Sequence, residues 1–248
     1  MTKLKSKKEI DLMRESGRRL ARTIEKVKEK AEPGMKTEEL NRLAEQLIKE
    51  EGATPSFKGY KGFPAALCTS INEMVVHGIP SDKKIKKGDI LSLDLGLCFN
   101  GYHADMATTI PIGKIDKKTE KLLKVTKISL QKGIEAFRVG NRLGYIGHAV
   151  QSYVEGQGFT VVEGLCGHGI GKEVHQDPQV LNIGEPGTGM EIKEGMVICI
   201  EPMVTTGNPS IKYDNEGIKT KNLSAHYEHT IAIVDGKPKI LTALDTLF

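Results

Sequence analysis

Apolar positions near the start of the chain, Ile10, Met13, Gly17, Leu20, Ile24, Val27 and Ala31, recur at alternating steps of three and four. That spacing lays a single stripe along an α-helix, and Pro33-Gly34 ends it. A second helix is expected from a Thr37 cap, with Glu38 and Glu39 in its first turn. Leu40, Leu43, Ala44, Leu47 and Ile48 form its buried face, and Gly52 stops it. The pattern then returns: Gly140 lies 106 residues after Gly34, and Gly158 lies 106 after Gly52. At the same offset the apolar face of the second helix meets Ile146, Ala149, Val150, Tyr153 and Val154. Helix faces and helix ends coincide together, which predicts an internal duplication: two halves, each a helix pair followed by strands, around a pseudo-twofold axis.

Elsewhere the period shifts from that of a helix to that of a strand. Residues 90–97 and 102–110 read as strands joined by Asn100-Gly101, a strong two-residue hairpin signal, and residues 196–200 and 230–234 read as further strands. Runs of strands between runs of helices, without strict alternation, predict an α+β fold on a mainly antiparallel sheet.

The first strand also carries chemistry. Leu91, Leu93, Leu95 and Leu97 share one face, so Asp94 points to the other. With Asn100 and Gly101 at the hairpin tip, Asp94 faces Ala107 and Asp105 faces Gly96, which makes the two aspartates diagonal neighbours on one face. Such neighbours lie about 7–8 Å apart at Cα, within reach of two ions about 3.5–4 Å apart, unless a β-bulge reverses the parity of one of them. His168 stands in Gly167-His168-Gly169-Ile170-Gly171, where small neighbours leave room for an ion or a substrate backbone; a loop histidine is the plainer alternative. Glu201 closes an apolar run and Glu228 precedes another, awkward places for unpaired carboxylates. Four carboxylates and a histidine at strand ends supply the oxygen-rich set that suits manganese, iron, cobalt or zinc and is too poor in sulfur for a structural zinc site.

Composition narrows the class. A 248-residue chain with 38% hydrophobic and 27% charged residues and 27 glycines is an ordinary turn-rich globule, one domain or two intimately packed halves. No apolar run is long enough to span a membrane and the first residues lack the pattern of a signal or transit peptide, so a cytoplasmic location is expected. Cys68, Cys98, Cys166 and Cys199 are scattered, which fits reduced and mostly buried thiols. The net charge of +4 is mild. Its lysine clusters, Lys3, Lys5, Lys7, Lys8 and Lys83, Lys84, Lys86, Lys87, read as solvated surface, with a weak, salt-sensitive contact to ribosomal RNA as the sharper alternative.

Taken together, Asp94, Asp105, Gly167-His168-Gly-Ile-Gly171, Ile200-Glu201-Pro202-Met203 and Tyr227-Glu228-His229-Thr230, with His77 and His175, closely resemble the methionine aminopeptidases over nearly the whole chain. The resemblance implies the pita-bread fold, as a single catalytic domain over 1–248 with pseudo-symmetric halves of about 1–112 and 113–248. Glu228 follows Glu201 by only 27 positions, which leaves no room for a helical insertion and points to type I in its short, bacterial-like form. It implies two divalent ions, from among cobalt, manganese, iron, zinc and nickel. Asp94 would bind one ion, His168 and Glu201 the other, and Asp105 and Glu228 both. The implied activity removes the initiator methionine from nascent polypeptides with a small second residue, by dinuclear-metal-activated water attack on the first peptide bond. Glu201 would shuttle the proton, His175 would stand near the scissile carbonyl and His77 near the amide nitrogen.

The resemblance also places a methionine pocket at Phe57, Tyr60, Phe63 and Cys68, with Val174 beside His175, although ordinary core packing would also account for these residues. Here the chain departs from many bacterial members, which carry Cys at the place of Phe57, Phe at the place of Val174 and a Trp near the rim; this chain has no Trp. A monomer is expected, with no DNA and no membrane among its partners. Met1-Thr2 itself has the small second residue that such an activity favours. Two alternatives are compatible with the same residues: an aminopeptidase of proline-containing peptides, and a pita-bread binding protein without catalysis.

Overall fold

The computed structural model describes residues 3–244; the expectation attached to Met1-Thr2 lies outside the described residues. Among the described residues, four α-helices occupy Lys7–Lys30 (α1), Thr37–Glu50 (α2), Lys117–Ala136 (α3) and Gly144–Gly156 (α4). The strands of the first half are Thr54–Pro55 (β1), Leu67–Ile71 (β2), Met74–Val76 (β3), Ile90–Phe99 (β4) and Tyr102–Pro111 (β5). Thr160–Val161 (β6), Cys166–Gly169 (β7), Gln176–Leu181 (β8), Val197–Ile200 (β9) and Met203–Thr205 (β10) follow. Lys212–Asp214 (β11), Gly217–Lys219 (β12), Ser224–His226 (β13), Glu228–Val234 (β14) and Lys237–Ile240 (β15) complete the set.

The helix starts have local causes. At α1, Ser6 Oγ accepts from the Glu9 N–H at 3.3 Å and Glu9 Oε2 accepts from the Ser6 N–H at 2.9 Å, a reciprocal capping box that satisfies two free donors. The second helix starts one residue earlier than expected, because Lys36 is its cap and Thr37 its first turn. Thr37 does different work: its hydroxyl donates to the Ser81 carbonyl at 3.1 Å and accepts from the Ser81 N–H at 2.9 Å. Glu39 Oε2 takes the free Lys36 N–H at 2.7 Å.

Strand order in the main sheet is β1-β4-β5-β14-β9-β7-β8, with β2 also on β4 and β15 on β14, and its strand pairs are antiparallel. The hairpin reads out as expected: Asn100 at φ 49° and Gly101 at φ 77° make the left-handed pair that a two-residue turn requires. Register runs unbroken from Ile90↔Pro111 to Phe99↔Tyr102, so Asp94 faces Ala107 and Gly96 faces Asp105. Leu91, Leu93, Leu95 and Leu97 pack with Leu20, Ile24, Leu40 and Ile48 of α1 and α2. Each such side chain, fully buried, contributes about 1.5–3 kcal/mol. The opposite side of the same strands is left for the acids.

The repeat is visible in the backbone, with the helix-side partner of each pair 106 residues on and the other partner 107. Gly34 N–H donates to Ile85 O at 2.8 Å and Gly140 N–H to Ile192 O at 3.3 Å; Ile85 N–H donates to Met35 O at 2.9 Å and Ile192 N–H to Asn141 O at 2.8 Å. Isolated antiparallel bridges repeat likewise, Lys36↔Lys84 and Arg142↔Glu191. Strands β5 and β14 meet at the centre of the sheet, joining the two halves. Between Glu201 and Glu228 the chain makes four short strands, β10 to β13, and no helix.

One lysine departs from the surface reading. Lys5 is buried, its N–H bonded to Gly195 O at 2.7 Å and its Nζ to Gln176 Oε1 at 3.3 Å. The other lysines of the two clusters are exposed. Among the described residues no helix is long and apolar enough to cross a membrane.

Candidate metal centre

Five elements converge on one chamber. Asp94 on β4 and Asp105 on β5 lie on the face turned away from the leucines, both buried. Glu228 opens β14, opposite Ala107, and so is carried to the same face across the seam between the halves. Glu201 follows β9 directly, its carbonyl held by Asn182 Nδ2 at 3.0 Å. His168 is not a loop residue: it sits buried on β7, between β8 and β9.

The glycines beside His168 have a different purpose from the one expected. A Cβ on Gly167 would collide with the Cys199 carbonyl, and one on Gly169 with the Asp177 carbonyl, so the space beside them is filled by neighbouring strand backbone rather than by a ligand. Close strand approach therefore fixes where the imidazole can stand. Its Nδ1 lies 3.0 Å from the Gly169 carbonyl, and since a carbonyl only accepts, Nδ1 carries the hydrogen. Nε2 is left with its lone pair towards Glu201 Oε1 at 3.5 Å and Asp105 Oδ2 at 3.8 Å. A backbone carbonyl that sets the tautomer in this way is the usual outer partner of a metal-binding histidine.

Burial of so much like charge shifts every acid in the chamber. Asp94 is raised to about 7, by burial against partial compensation from hydrogen bonds with Cys68 and Asp105. Asp105 is driven well above the ordinary carboxylate range by burial and then by Glu228 and Asp94. Glu201 rises by burial and the charges of Asp105 and Asp94, and Glu228 by burial and those of Glu201 and Asp94. His168 is pushed down to about 4 by burial, so it is neutral at pH 7. Asp94 Oδ1, Asp105 Oδ1 and Glu228 Oε1 are buried without a hydrogen-bond partner among the described residues. Buried anionic oxygens in that condition are costly unless cations meet them, so the residues fit a divalent-metal centre.

Sequence reasoning missed two residues of this chamber. Donor atoms of Asp105, His168, Cys199 and Glu228 all lie within 4.8 Å of one another, as do those of Glu201, His226 and Glu228. Cys199 and His226 stand two residues before Glu201 and Glu228, but His226 ends β13 and Glu228 opens β14 in another sheet, so the two-residue period of one strand does not join them. Cys199 is held as a thiol, raised far above its ordinary value by burial and by Glu228 and Asp105, with Sγ 3.5 Å from Thr230 Oγ1.

The five expected pocket residues come together beside the acids. Phe57, Cys68 and Val174 form a buried apolar cluster with Tyr60 and Phe63 packed against it. Cys68 pairs with Asp94 across β2 and β4, which sets the cluster against the carboxylates. Tyr60 stacks on His175 at 5.1 Å, and His175 meets His168 at 4.3 Å. His175 is pushed down to about 3 by burial and by the neighbouring His168, Lys61, His77 and His103. His77, at φ 58° just after β3, opens to solvent, yet the surrounding walls still lower its pKa. It lies within electrostatic reach of both His175 and His226.

The model of metallopeptidase family M24 matches residues 11–235. The methionine aminopeptidase of Clostridium perfringens is 49% identical over 245 residues, 97% of this chain and 98% of that protein. Methionine aminopeptidase 1 of Bacillus subtilis is 47% identical over 242 residues, covering 96% and 98%. The crystal structure of methionine aminopeptidase from Rickettsia prowazekii superposes with a TM-score of 0.96 at 39% identity, over 98% of this chain and all of that one, so the pita-bread fold is shared. Likeness of this extent over nearly the full length means that the chain belongs to metallopeptidase family M24, among its methionine aminopeptidases.

Proposed function

We propose that this chain removes the initiator methionine from nascent polypeptides whose second residue is small, using two divalent ions held by Asp94, Asp105, His168, Glu201 and Glu228. The observation that carries the reading is the pairing of Cys68 with Asp94, which sets the apolar cluster of Phe57, Cys68 and Val174 against the carboxylate chamber. In the assignment we favour, Asp94 would hold one ion, His168 and Glu201 the other, and Asp105 and Glu228 would contribute to both. Cobalt, manganese, iron, zinc and nickel all suit so oxygen-rich a set with one imidazole.

When bound, such ions lower the pKa of a water and polarise the scissile carbonyl. The protein's own part is to place the peptide and to handle protons. Phe57, Tyr60, Phe63, Cys68 and Val174 take the methionine side chain. That anchors the first peptide bond beside Glu201, which accepts a proton and passes it to the leaving amine. His175, neutral, stacked on Tyr60 and tilted against His168, offers a donor to the carbonyl oxygen, and His77 at the open rim stabilises charge near the amide nitrogen. Residues 1–248 act in this reading as one catalytic domain of halves 1–112 and 113–248, monomeric and cytoplasmic. The exposed lysines at 83, 84, 86 and 87 give it a weak, salt-sensitive hold on the ribosome.

Metal-loaded protein tested against Met-Ala, Met-Gly and X-Pro peptides, with each ion in turn, decides the matter. Release of methionine with X-Pro peptides left intact is the expected result, and the opposite preference would reject the reading.

A further inference from the structure

We infer that His226 is itself a metal ligand, binding through Nε2 the ion that Glu201 and Glu228 hold, so that the centre contains two imidazoles rather than one. The inference rests on the dinuclear reading above and adds a donor that the reading does not include.

His226 is 1% exposed, and neither ring nitrogen has a hydrogen-bond partner among the described residues. Its Nε2 lies 3.8 Å from Glu201 Oε2 and 4.0 Å from Glu228 Oε2. Neither distance is a hydrogen bond. If Nε2 carried the hydrogen, it would have two acceptors in view and reach neither. If Nε2 carried the lone pair, it would face two carboxylate oxygens with like polarity. A cation among the three donors resolves both cases. With metal–ligand bonds of about 2.0–2.2 Å, two donors on one ion stand roughly 3 Å apart at a right angle and roughly 4.2 Å apart when opposite, a range that holds both distances. Glu201 then has an imidazole at each oxygen, His168 at Oε1 and His226 at Oε2.

The backbone of His226 is held as firmly as that of an established ligand would need to be. Thr109 Oγ1 donates to the His226 carbonyl at 2.8 Å and accepts from its N–H at 2.9 Å. Thr109 is in turn bonded to Ser92 Oγ at 2.8 Å, and it lies on the strand that carries Asp105. Pairing of Met203 with His226 across β10 and β13 brings Glu201 and Glu228, each two residues away, to the same end of the small sheet. A second imidazole makes the centre richer in nitrogen, which favours cobalt, nickel, iron or zinc over manganese.

Diffraction from crystals of the cobalt-loaded protein, with cobalt located by anomalous scattering, tests this directly. A cobalt–Nε2 distance of about 2.1 Å at His226 is expected. Calorimetric titration of cobalt into His226→Gln and His226→Ala should show one site weakened at least about tenfold while the other is kept. Cobalt bound at the carboxylates with His226 Nε2 beyond 3 Å, or unchanged affinity at both sites in folded variants, would overturn the inference and leave the dinuclear reading standing. Absence of cobalt from the chamber altogether would overturn both.

Discussion

Thr230 and Asp105 are bonded twice through one hydroxyl: Thr230 Oγ1 accepts from the Asp105 N–H at 3.0 Å and donates to the Asp105 carbonyl at 2.9 Å. The contact joins strands of opposite halves at the residue where the acid must be aimed. Thr230→Val keeps the shape and removes both bonds, leaving buried groups unpaired at a cost of about 1–3 kcal/mol. Thermal unfolding should show the loss, and calorimetry should show metal affinity reduced by about tenfold or more. Thr230→Ser should restore both.

Glu201→Gln keeps the volume and the carbonyl contact with Asn182 but removes the proton acceptor. Turnover of Met-Ala should fall by about 10²–10⁴, the usual contribution of such a group, with the fold intact by circular dichroism. Near-normal kcat in this variant would contradict its assigned role.

Gly96 faces Asp105 in the hairpin, and a Cβ there would stand 2.8 Å from Phe57 Cε1 and 3.0 Å from Ser56 Cβ. Gly96→Ala therefore displaces the Phe57 ring, with overpacking typically costing about 1–3 kcal/mol. We expect KM for methionyl peptides to rise several-fold while metal stoichiometry stays at the wild-type value. Loss of metal with an unchanged KM would show that Phe57 does not shape the pocket.

Metal removal should expose a pH slope. All four carboxylates have folded-state pKa values above their ordinary ones, Asp94 at about 7. The native metal-free chain thus binds more protons than the unfolded one. Its stability is full below the ordinary carboxylate range and falls as pH climbs through the raised values. Bound cations hold the same groups ionised and remove the slope. The gap in Tm between cobalt-loaded and chelated protein should widen between about pH 5 and about pH 8. A gap independent of pH would mean that the acids are not the groups being neutralised.

The sequence by itself was enough for whatever depends on neighbours along the chain. Stripes of three and four residues marked α1 and α2, and Asn100-Gly101 set the turn whose geometry dictates every pair from Ile90 to Pro111. The diagonal placement of Asp94 and Asp105 followed from that register, and the echo of Gly34 and Gly52 at Gly140 and Gly158 followed from counting. Each of these rests on backbone periods that a local segment imposes on itself.

Tertiary structure decided what depends on which strands lie side by side. Gly167 and Gly169 look like open space until the carbonyls of Cys199 and Asp177 arrive beside them. Lys5 reads as surface until Gly195 and Gln176 enclose it, and Thr37 reads as a cap until Ser81 takes its hydroxyl. His226 reads as one more strand residue until the antiparallel pairing of β10 with β13 sets it between Glu201 and Glu228. Pairings between distant segments are chosen by the burial of whole faces, and the polar residues on the opposite faces come together only as a consequence of that choice.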